Sequence, residues 1–107
     1  MVRTMRKLGG VAEAFIPERF TEGYGMTDAS IARLLGEHPD VALVITVDNG
    51  ITAPREVESL RARGIAVVVT DHHLPGPELP APDALVNPRV ASAPGCEGLC
   101  GAGVAFF

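Results

Sequence analysis

The stretch Ile65-Ala66-Val67-Val68-Val69-Thr70-Asp71-His72-His73 decides the fold class of this chain. Its first five residues are apolar and mostly β-branched, which favours a strand buried on both faces, and an acid and two imidazoles follow soon after. A second apolar run, Val41–Val47, leads into Asp48-Asn49-Gly50 in the same way. Because ligands bind at the carboxyl edge of open α/β sheets, both strand ends are candidate site positions.

Two helices are predicted beside these strands. The first is capped by Thr27 or Asp28, and the second is capped by Thr52 and opens with Pro54, where the missing N–H of a proline costs nothing. Each helix has an apolar face that can cover the sheet, formed by Ile31, Leu34 and Leu35 in the first and by Val57 and Leu60 in the second.

Further elements are predicted towards both ends of the chain. Alternation over Val11–Ile16 indicates a strand, residues 84–86 indicate a short strand, and a last helix runs from Gly101 to Phe107. The order of strands and helices predicts an α/β fold with a parallel, doubly wound sheet. Since the chain opens inside a helix and stops inside another, we expect this sheet to be truncated at both ends.

Composition and charge exclude several classes of protein. Hydrophobic residues make up 47% of the 107 residues, which is too many for a disordered segment. The net charge of −4 gives no basic footprint for nucleic acid, although residue counting does not reveal the charge of a metal ion. The sequence has no secretory h-region and no run of membrane-spanning length, so we expect a cytoplasmic protein with no membrane partner.

The two cysteines, Cys96 and Cys100, do not form a zinc-binding pattern. They are separated by three residues, whereas zinc sites pair a C-x₂-C element with a second pair of ligands that does not follow here. Reduced structural thiols are favoured, and a disulfide between the two stays an open alternative.

Asp48 and His72 are the candidate metal ligands. They follow two strands joined by one crossover helix, and neighbouring strands lie only about 5 Å apart, so both side chains can reach one cation. A carboxylate with an imidazole suits Mn²⁺ or Mg²⁺, and two such ions about 3.5–4 Å apart can activate water for in-line attack on a phosphoryl group. The alternative is that Asp48 only caps the turn at Asn49-Gly50 and that His72 only caps a loop.

The neighbours of His72 are the candidate catalytic residues. Adjacent side chains diverge, so His73 is predicted to face substrate and to stabilise a phosphate oxygen, the alternative being a solvated loop histidine. Asp71 is predicted to orient the His72 ring by a hydrogen bond, or else to cap the loop.

Two weaker signals concern phosphate. Arg19, together with Tyr24, is a possible phosphate contact, but a surface arginine is the more common alternative. The segment Gly101-Ala102-Gly103 at a helix start suits either an anion cradle or close helix packing.

Several motifs, taken together and in order, carry a resemblance that spans nearly the whole chain. They are Phe15–Phe20, Glu22–Gly25, Val47–Ile51, Thr70–Gly76, Leu79-Pro80, Val86–Pro88 and Leu99–Phe106. This set resembles the DHH phosphoesterases and, within them, the RecJ-type exonucleases that degrade single-stranded DNA from the 5′ end.

The resemblance implies that residues 1–107 are part of a DHH catalytic domain with two Mn²⁺ or Mg²⁺ ions. Asp48 and His72 match metal ligands, and His73 matches a phosphate-contacting residue. Single-stranded DNA is the implied partner, with a single-strand-binding protein and a helicase, in DNA repair and recombination. The opening Asp-x-Asp motif of the family is expected before Met1, and a further ligand with the rest of the protein after Phe107, so we expect the 107-residue chain alone to be inactive.

Two other functions are compatible with the same residues. One is a different DHH phosphoesterase acting on oligonucleotides or cyclic dinucleotides, which the Leu74-Pro75-Gly76 and Asn87-Pro88 flanks disfavour. The other is a non-catalytic DHH-like scaffold module, which the retention of both Asp48 and His72 disfavours.

Overall fold

The computed structural model describes residues 1–18, 20–90, 94–96 and 98–106, and these ranges contain four helices and three strands. The helices are α1 (Val2–Lys7), α2 (Asp28–Glu37), α3 (Pro54–Ala62) and α4 (Gly101–Phe106). The strands are β1 (Leu43–Val47), β2 (Ala66–Thr70) and β3 (Ala84–Val86).

The three strands form one parallel sheet in the order β1-β2-β3. In the register of the sheet, Val47 of β1 lies beside Thr70 of β2, and Thr70 lies beside Val86 of β3. The carboxyl ends of all three strands are therefore level, and the loops that follow them start from one edge. The predicted α/β fold with a parallel sheet is confirmed.

The core lies between the sheet and the apolar faces of α2 and α3. The buried side chains that form it are Ile31, Val57, Leu60, Ile65, Val67 and Val69. Ile31 of α2 and Val57 and Leu60 of α3 lie on the predicted inward faces, so both predictions are confirmed. Each fully buried aliphatic side chain contributes about 1.5–3 kcal/mol to the stability of the fold. Two of the core residues, Val67 and Val69, belong to β2, the central strand of the sheet.

The N-terminus of α2 forms as predicted. Thr27 is its N-cap: the Thr27 hydroxyl accepts a hydrogen bond from the Ser30 N–H at 3.2 Å, while the Ser30 hydroxyl accepts one from the Thr27 N–H at 2.9 Å. This reciprocal pair satisfies two backbone donors that the first turn of a helix leaves free. The prediction that Pro54 opens α3 is confirmed, whereas the predicted cap is wrong by one residue, because Ala53 and not Thr52 is the N-cap.

The strand predicted over Val11–Ile16 is absent from the described structure, where this segment is an irregular loop. The side chains of Val11 and Ile16 are 101% and 79% exposed. Alternation produces a strand only where a neighbouring strand supplies hydrogen bonds and a surface to cover the apolar side chains. Among the described residues, no strand pairs with this loop.

The strand β1 also differs from its prediction as a strand covered on both faces. It pairs with β2 alone in the described part of the chain, and Leu43 and Val47 are 44% and 38% exposed. Apolar composition reported the strand correctly, whereas its coverage depends on neighbours that composition does not reveal.

Cys96 and Cys100 are free thiols, so the disulfide that the sequence left open is not formed. None of the helices in the described ranges has the length and apolar character needed to cross a lipid bilayer.

Candidate metal centre

The turn after β1 places Asp48 at the sheet edge. Asp48 has a left-handed backbone with φ of 68°, and Gly50 follows with φ of 106°. The turn is tied to the strands at two points: the Asp48 N–H donates to the Thr70 carbonyl at 3.0 Å, and the buried Thr46 hydroxyl donates to the Asn49 carbonyl at 2.7 Å. Short polar residues such as aspartate tolerate this conformation, so the turn and the acid at its start suit one another.

The turn after β2 is built around the carboxylate of Asp71, which is 1% exposed. It accepts backbone hydrogen bonds from Ile51 at 3.1 Å, from His72 at 2.8 Å and from His73 at 3.2 Å. It also lies 2.6 Å from His73 Nδ1. Asp71 therefore holds the loop that carries both histidines.

The charge of Asp71 determines that Nδ1 of the His73 ring carries a proton. Burial raises the pKa of Asp71, but the hydrogen bonds from the Ile51 N–H and from His73 outweigh it, so this pKa lies below its ordinary value. An ionised carboxylate only accepts hydrogen bonds, so the proton of the short contact lies on His73 Nδ1. In the neutral ring this leaves Nε2 of His73 with its lone pair available.

Asp48, His72 and His73 form one cluster of possible metal ligands. The Asp48 Oδ1 atom lies 2.9 Å from His72 Nε2, and one donor atom from each of the three residues lies within 4.8 Å of the others. Neighbouring ligands of an octahedral ion with bonds of about 2.1 Å are about 3 Å apart. Both the spacing of Asp48 and His72 and the oxygen–nitrogen donor set therefore fit Mn²⁺ or Mg²⁺.

The structure brings together the two residues predicted to meet, Asp48 and His72, and corrects two expectations about their neighbours. The histidine rings do not diverge, since their centroids are 4.4 Å apart and His73 shares the cluster. Of the two alternatives for Asp71, capping the loop is confirmed by the hydrogen bonds that it accepts from the His72 and His73 N–H groups. Asp71 does not bond the His72 ring, which is turned to Asp48; the ring that contacts the Asp71 carboxylate is that of His73.

Helix α4 packs directly on the cluster through Gly101. A Cβ atom on Gly101 would overlap the carboxyl group of Asp48, so only a glycine allows this approach. At Gly103 the atoms nearest to an added Cβ belong to the side chains of Leu99, at 3.3 Å, and Cys100, at 3.8 Å. Of the two alternatives for this glycine-rich segment, the close approach is the one that the geometry supports.

Two residues at the site were missed by sequence reasoning. The buried Asn87 donates from Nδ2 to the His73 carbonyl at 3.0 Å and accepts the Arg89 N–H on Oδ1 at 2.8 Å. Arg89 donates from Nε to the His72 carbonyl at 2.7 Å. The Asn-Pro dipeptide after β3 was visible in the sequence, but its contact with the histidine loop follows from the strand register, which no local pattern reports.

The residues named for phosphate contact have different outcomes. Arg19 lies outside the described residues, and Tyr24 is an exposed residue of the loop before α2. That loop passes the turn after β1, since a Cβ on Gly25 would lie 3.7 Å from the Asn49 Cβ.

The chain is similar in sequence to known exonucleases over nearly its whole length. The chain is 43% identical to the single-stranded-DNA-specific exonuclease RecJ of Dickeya dadantii and 41% identical to that of Bacillus subtilis, in each case over 99% of its own length. It spans only 18% and 13% of the lengths of these two relatives.

Two solved structures share the fold. A crystal structure of exonuclease RecJ bound to manganese matches 98% of the chain with a TM-score of 0.81 and 39% identity, over 26% of its own length. RecJ of Thermus thermophilus in complex with Mn²⁺ matches 98% of the chain with a TM-score of 0.70 and 35% identity, over 14% of its own length. Residues 1–107 also match the N-terminal domain of the DHH family. Since that match covers the whole sequence, the chain belongs to the DHH family.

Proposed function

We propose that Asp48 and His72, with His73 beside them, hold divalent metal in a RecJ-type exonuclease that hydrolyses the phosphodiester bonds of single-stranded DNA. The observation that carries this proposal is the 2.9 Å separation of Asp48 Oδ1 and His72 Nε2, inside a cluster that suits Mn²⁺ or Mg²⁺. The two related structures are described as bound to manganese or in complex with Mn²⁺, which supports the choice of metal.

When bound, a pair of such ions supplies an activated water and polarises the phosphoryl group. The residues of the chain prepare for this chemistry. Asp48 is held by the turn after β1, and Asp71 keeps the proton of His73 on Nδ1. In the neutral His73 ring, Nε2 can accept a hydrogen bond or bind metal; in the protonated ring it can donate to a phosphate oxygen, as the sequence predicted.

The substrate and partners are part of the same proposal. The relatives from Dickeya dadantii and Bacillus subtilis are single-stranded-DNA-specific exonucleases, which supports single-stranded DNA as the substrate. The resemblance extends the proposal to 5′→3′ digestion in DNA repair and recombination, beside a single-strand-binding protein and a helicase. Because three donors are fewer than the six ligands of an octahedral ion, we expect this chain alone to bind metal weakly and to cleave no DNA.

Calorimetric titration of the 107-residue chain with Mn²⁺ tests the metal site. Asp48→Asn keeps a residue that tolerates the left-handed turn but removes the charge, and we expect the affinity to fall by more than about tenfold. Asp40→Asn makes the same change at an exposed position before β1 and should leave the affinity unchanged. Equal affinities of wild type and Asp48→Asn would contradict the proposed ligand.

Cleavage is tested in a nuclease that contains this chain. There, Asp48→Ala or His72→Ala should abolish degradation of single-stranded DNA while circular dichroism shows that the fold is kept. Near-normal turnover in either variant would remove that residue from the proposed centre.

A further inference from the structure

A cleft beside the histidine pair is lined by residues outside the proposed metal centre as well as by the two histidines. It has a volume of about 460 Å³ and is lined by His72, His73, Leu74 and Arg89. Arg89 is the one permanently charged cation among the described residues that line this cleft. Because the chain has a net charge of −4, the positive charge of Arg89 is a local feature and not part of a broad basic surface.

Arg89 is fixed to the histidine loop at two points. Its backbone N–H donates to the Asn87 side chain, which is 4% exposed and is itself bonded to the His73 carbonyl. Its Nε donates to the His72 carbonyl at 2.7 Å. The guanidinium is therefore held next to the two histidines by the same loop that carries them.

The remaining donors of Arg89 suit an anion. A guanidinium has five N–H donors, of which the Nε–H is used, and the four on the two Nη atoms have no partner among the described residues. Two carboxylates lie nearby, but Asp71 is buried against His73 and Asp48 faces His72 Nε2. The fork of an arginine matches the oxygens of a phosphate in a bidentate manner.

We propose that Arg89 forms a phosphate subsite beside the histidine pair, which takes the oxygens of a nucleic-acid phosphate next to the one that is cleaved. This inference rests on the proposed function for the identity of the substrate. The phosphate can be an internal phosphodiester or a terminal monoester, because the oxyanion chemistry is common to both.

The subsite is tested without metal, so that its failure and that of the metal site are distinguishable. The 107-residue chain in EDTA is titrated with inorganic phosphate and with short oligothymidylates that carry either a 5′-phosphate or a 5′-hydroxyl. The Arg89 Nε–H resonance is followed by NMR, and the affinity for each oligothymidylate is measured at several salt concentrations. We expect the resonance to shift with both inorganic phosphate and oligothymidylate.

Variants then distinguish a specific contact between Arg89 and phosphate from a general effect of the net charge of the chain. Arg89→Ala should weaken oligothymidylate binding roughly fivefold. It should also reduce the dependence of log K on log salt by about 0.7, the value for one phosphate contact on a single strand. Arg89→Lys keeps the charge but not the fork, so it should retain the salt dependence with weaker binding. Arg63→Ala removes the same charge from the exposed end of α3 and should change neither quantity.

Dependence on Arg89 for the 5′-phosphorylated strand alone identifies a terminal monoester, and dependence for both strands identifies a phosphodiester. The proposal is overturned if neither strand moves the Arg89 resonance, even where inorganic phosphate does. It is also overturned if Arg89→Ala and Arg63→Ala weaken binding equally.

Discussion

The loop between α1 and α2 and the carboxyl edge of the sheet are both irregular in backbone, yet they are held in different ways. The loop is held from outside by Arg33 of α2, which bonds the Glu22 carboxylate and the Ile16 carbonyl and lies 4.1 Å from the ring of Phe15. The edge is held from inside by buried polar side chains, with Asp71 and Asn87 at its centre.

The two regions therefore differ in how much their contacts contribute to the stability of the protein. The loop depends on a part-buried ion pair between Arg33 and Glu22 and on separate hydrogen bonds, such as that from Arg6 Nε to the Ala12 carbonyl at 2.7 Å. At the edge, each buried polar group has its partners within the backbone of the turns, and the described residues leave no buried side-chain donor or acceptor without a partner. Substitutions at the edge should therefore damage stability and site together, while those at the loop should act locally.

The largest effect is expected from Asp71→Ala. This change leaves the buried N–H groups of Ile51 and His72 without an acceptor, so the free energy of unfolding should fall by about 3 kcal/mol. Urea unfolding measures it, with the exposed Asp40→Ala as a control that should lie within experimental error of wild type. If Asp71→Ala lowered the free energy of unfolding no more than Asp40→Ala, the buried hydrogen bonds at the carboxyl edge of the sheet would not stabilise the fold more than the contacts of the loop between α1 and α2 do.

An intermediate effect is expected from Gly101→Ala. The added Cβ overlaps the Asp48 carboxyl group, so either α4 shifts, at about 1–3 kcal/mol, or Asp48 rotates away from His72. We expect the ¹⁵N resonance of His72 Nε2 to move while that of His73 Nδ1, bonded to Asp71, stays in place.

Gly103→Ala lies in the same helix and serves as the matched control, because the atoms nearest to its Cβ belong to the Leu99 and Cys100 side chains and not to Asp48. Unchanged His72 signals in Gly101→Ala would show that α4 does not set the position of Asp48. A change in both histidines would indicate general destabilisation instead.

The smallest effect is expected at the loop on acidification. Hydrogen bonds from the Arg33 side chain and from the Glu18 N–H hold the pKa of Glu22 below its ordinary value. A lowered folded-state pKa means that the pairing is complete at neutral pH, that its contribution declines below the ordinary glutamate pKa, and that it is lost as the pH falls through the lowered value. Amide exchange over residues 15–22, corrected for intrinsic rates, should rise in acid.

Arg33→Ala is the control for that experiment. It should show fast exchange over the same residues at neutral pH, with no further acid transition. Protection of the wild-type loop that survives acidification would show that other contacts, such as the Phe15 ring contact and the hydrogen bond from Thr27 to the Glu22 carbonyl, hold the loop without the ion pair.

The sequence predicted the parts of the fold that depend on local composition. Residues 84–86 were placed correctly as a strand, and the buried positions Val57 and Leu60 were identified because their spacing matches one helix face. Val11–Ile16 failed for the opposite reason: alternation is a local property, but a strand needs a partner elsewhere in the chain.

The candidate site was predicted to the same depth. Asp48 and His72 met as expected because strand adjacency fixes their distance. Which histidine Asp71 bonds depends on rotamers across two turns, and the part played by Asn87 depends on the register of β3. Neither the rotamers nor the register of β3 is encoded in a short stretch of residues. The sequence therefore identified Asp48, Asp71 and the two histidines as site residues but not which side chains bond one another.

The left-handed backbone of Asp48 limits how the chain can change. Aspartate and asparagine adopt this conformation at low cost among residues with a side chain, so exchange of one for the other leaves the turn intact. A single substitution therefore converts the carboxylate of the proposed metal ligand into a neutral amide without altering the architecture around it. Two chains with this fold can therefore differ by one amino acid at the proposed metal centre, and a fold comparison alone does not tell the two apart.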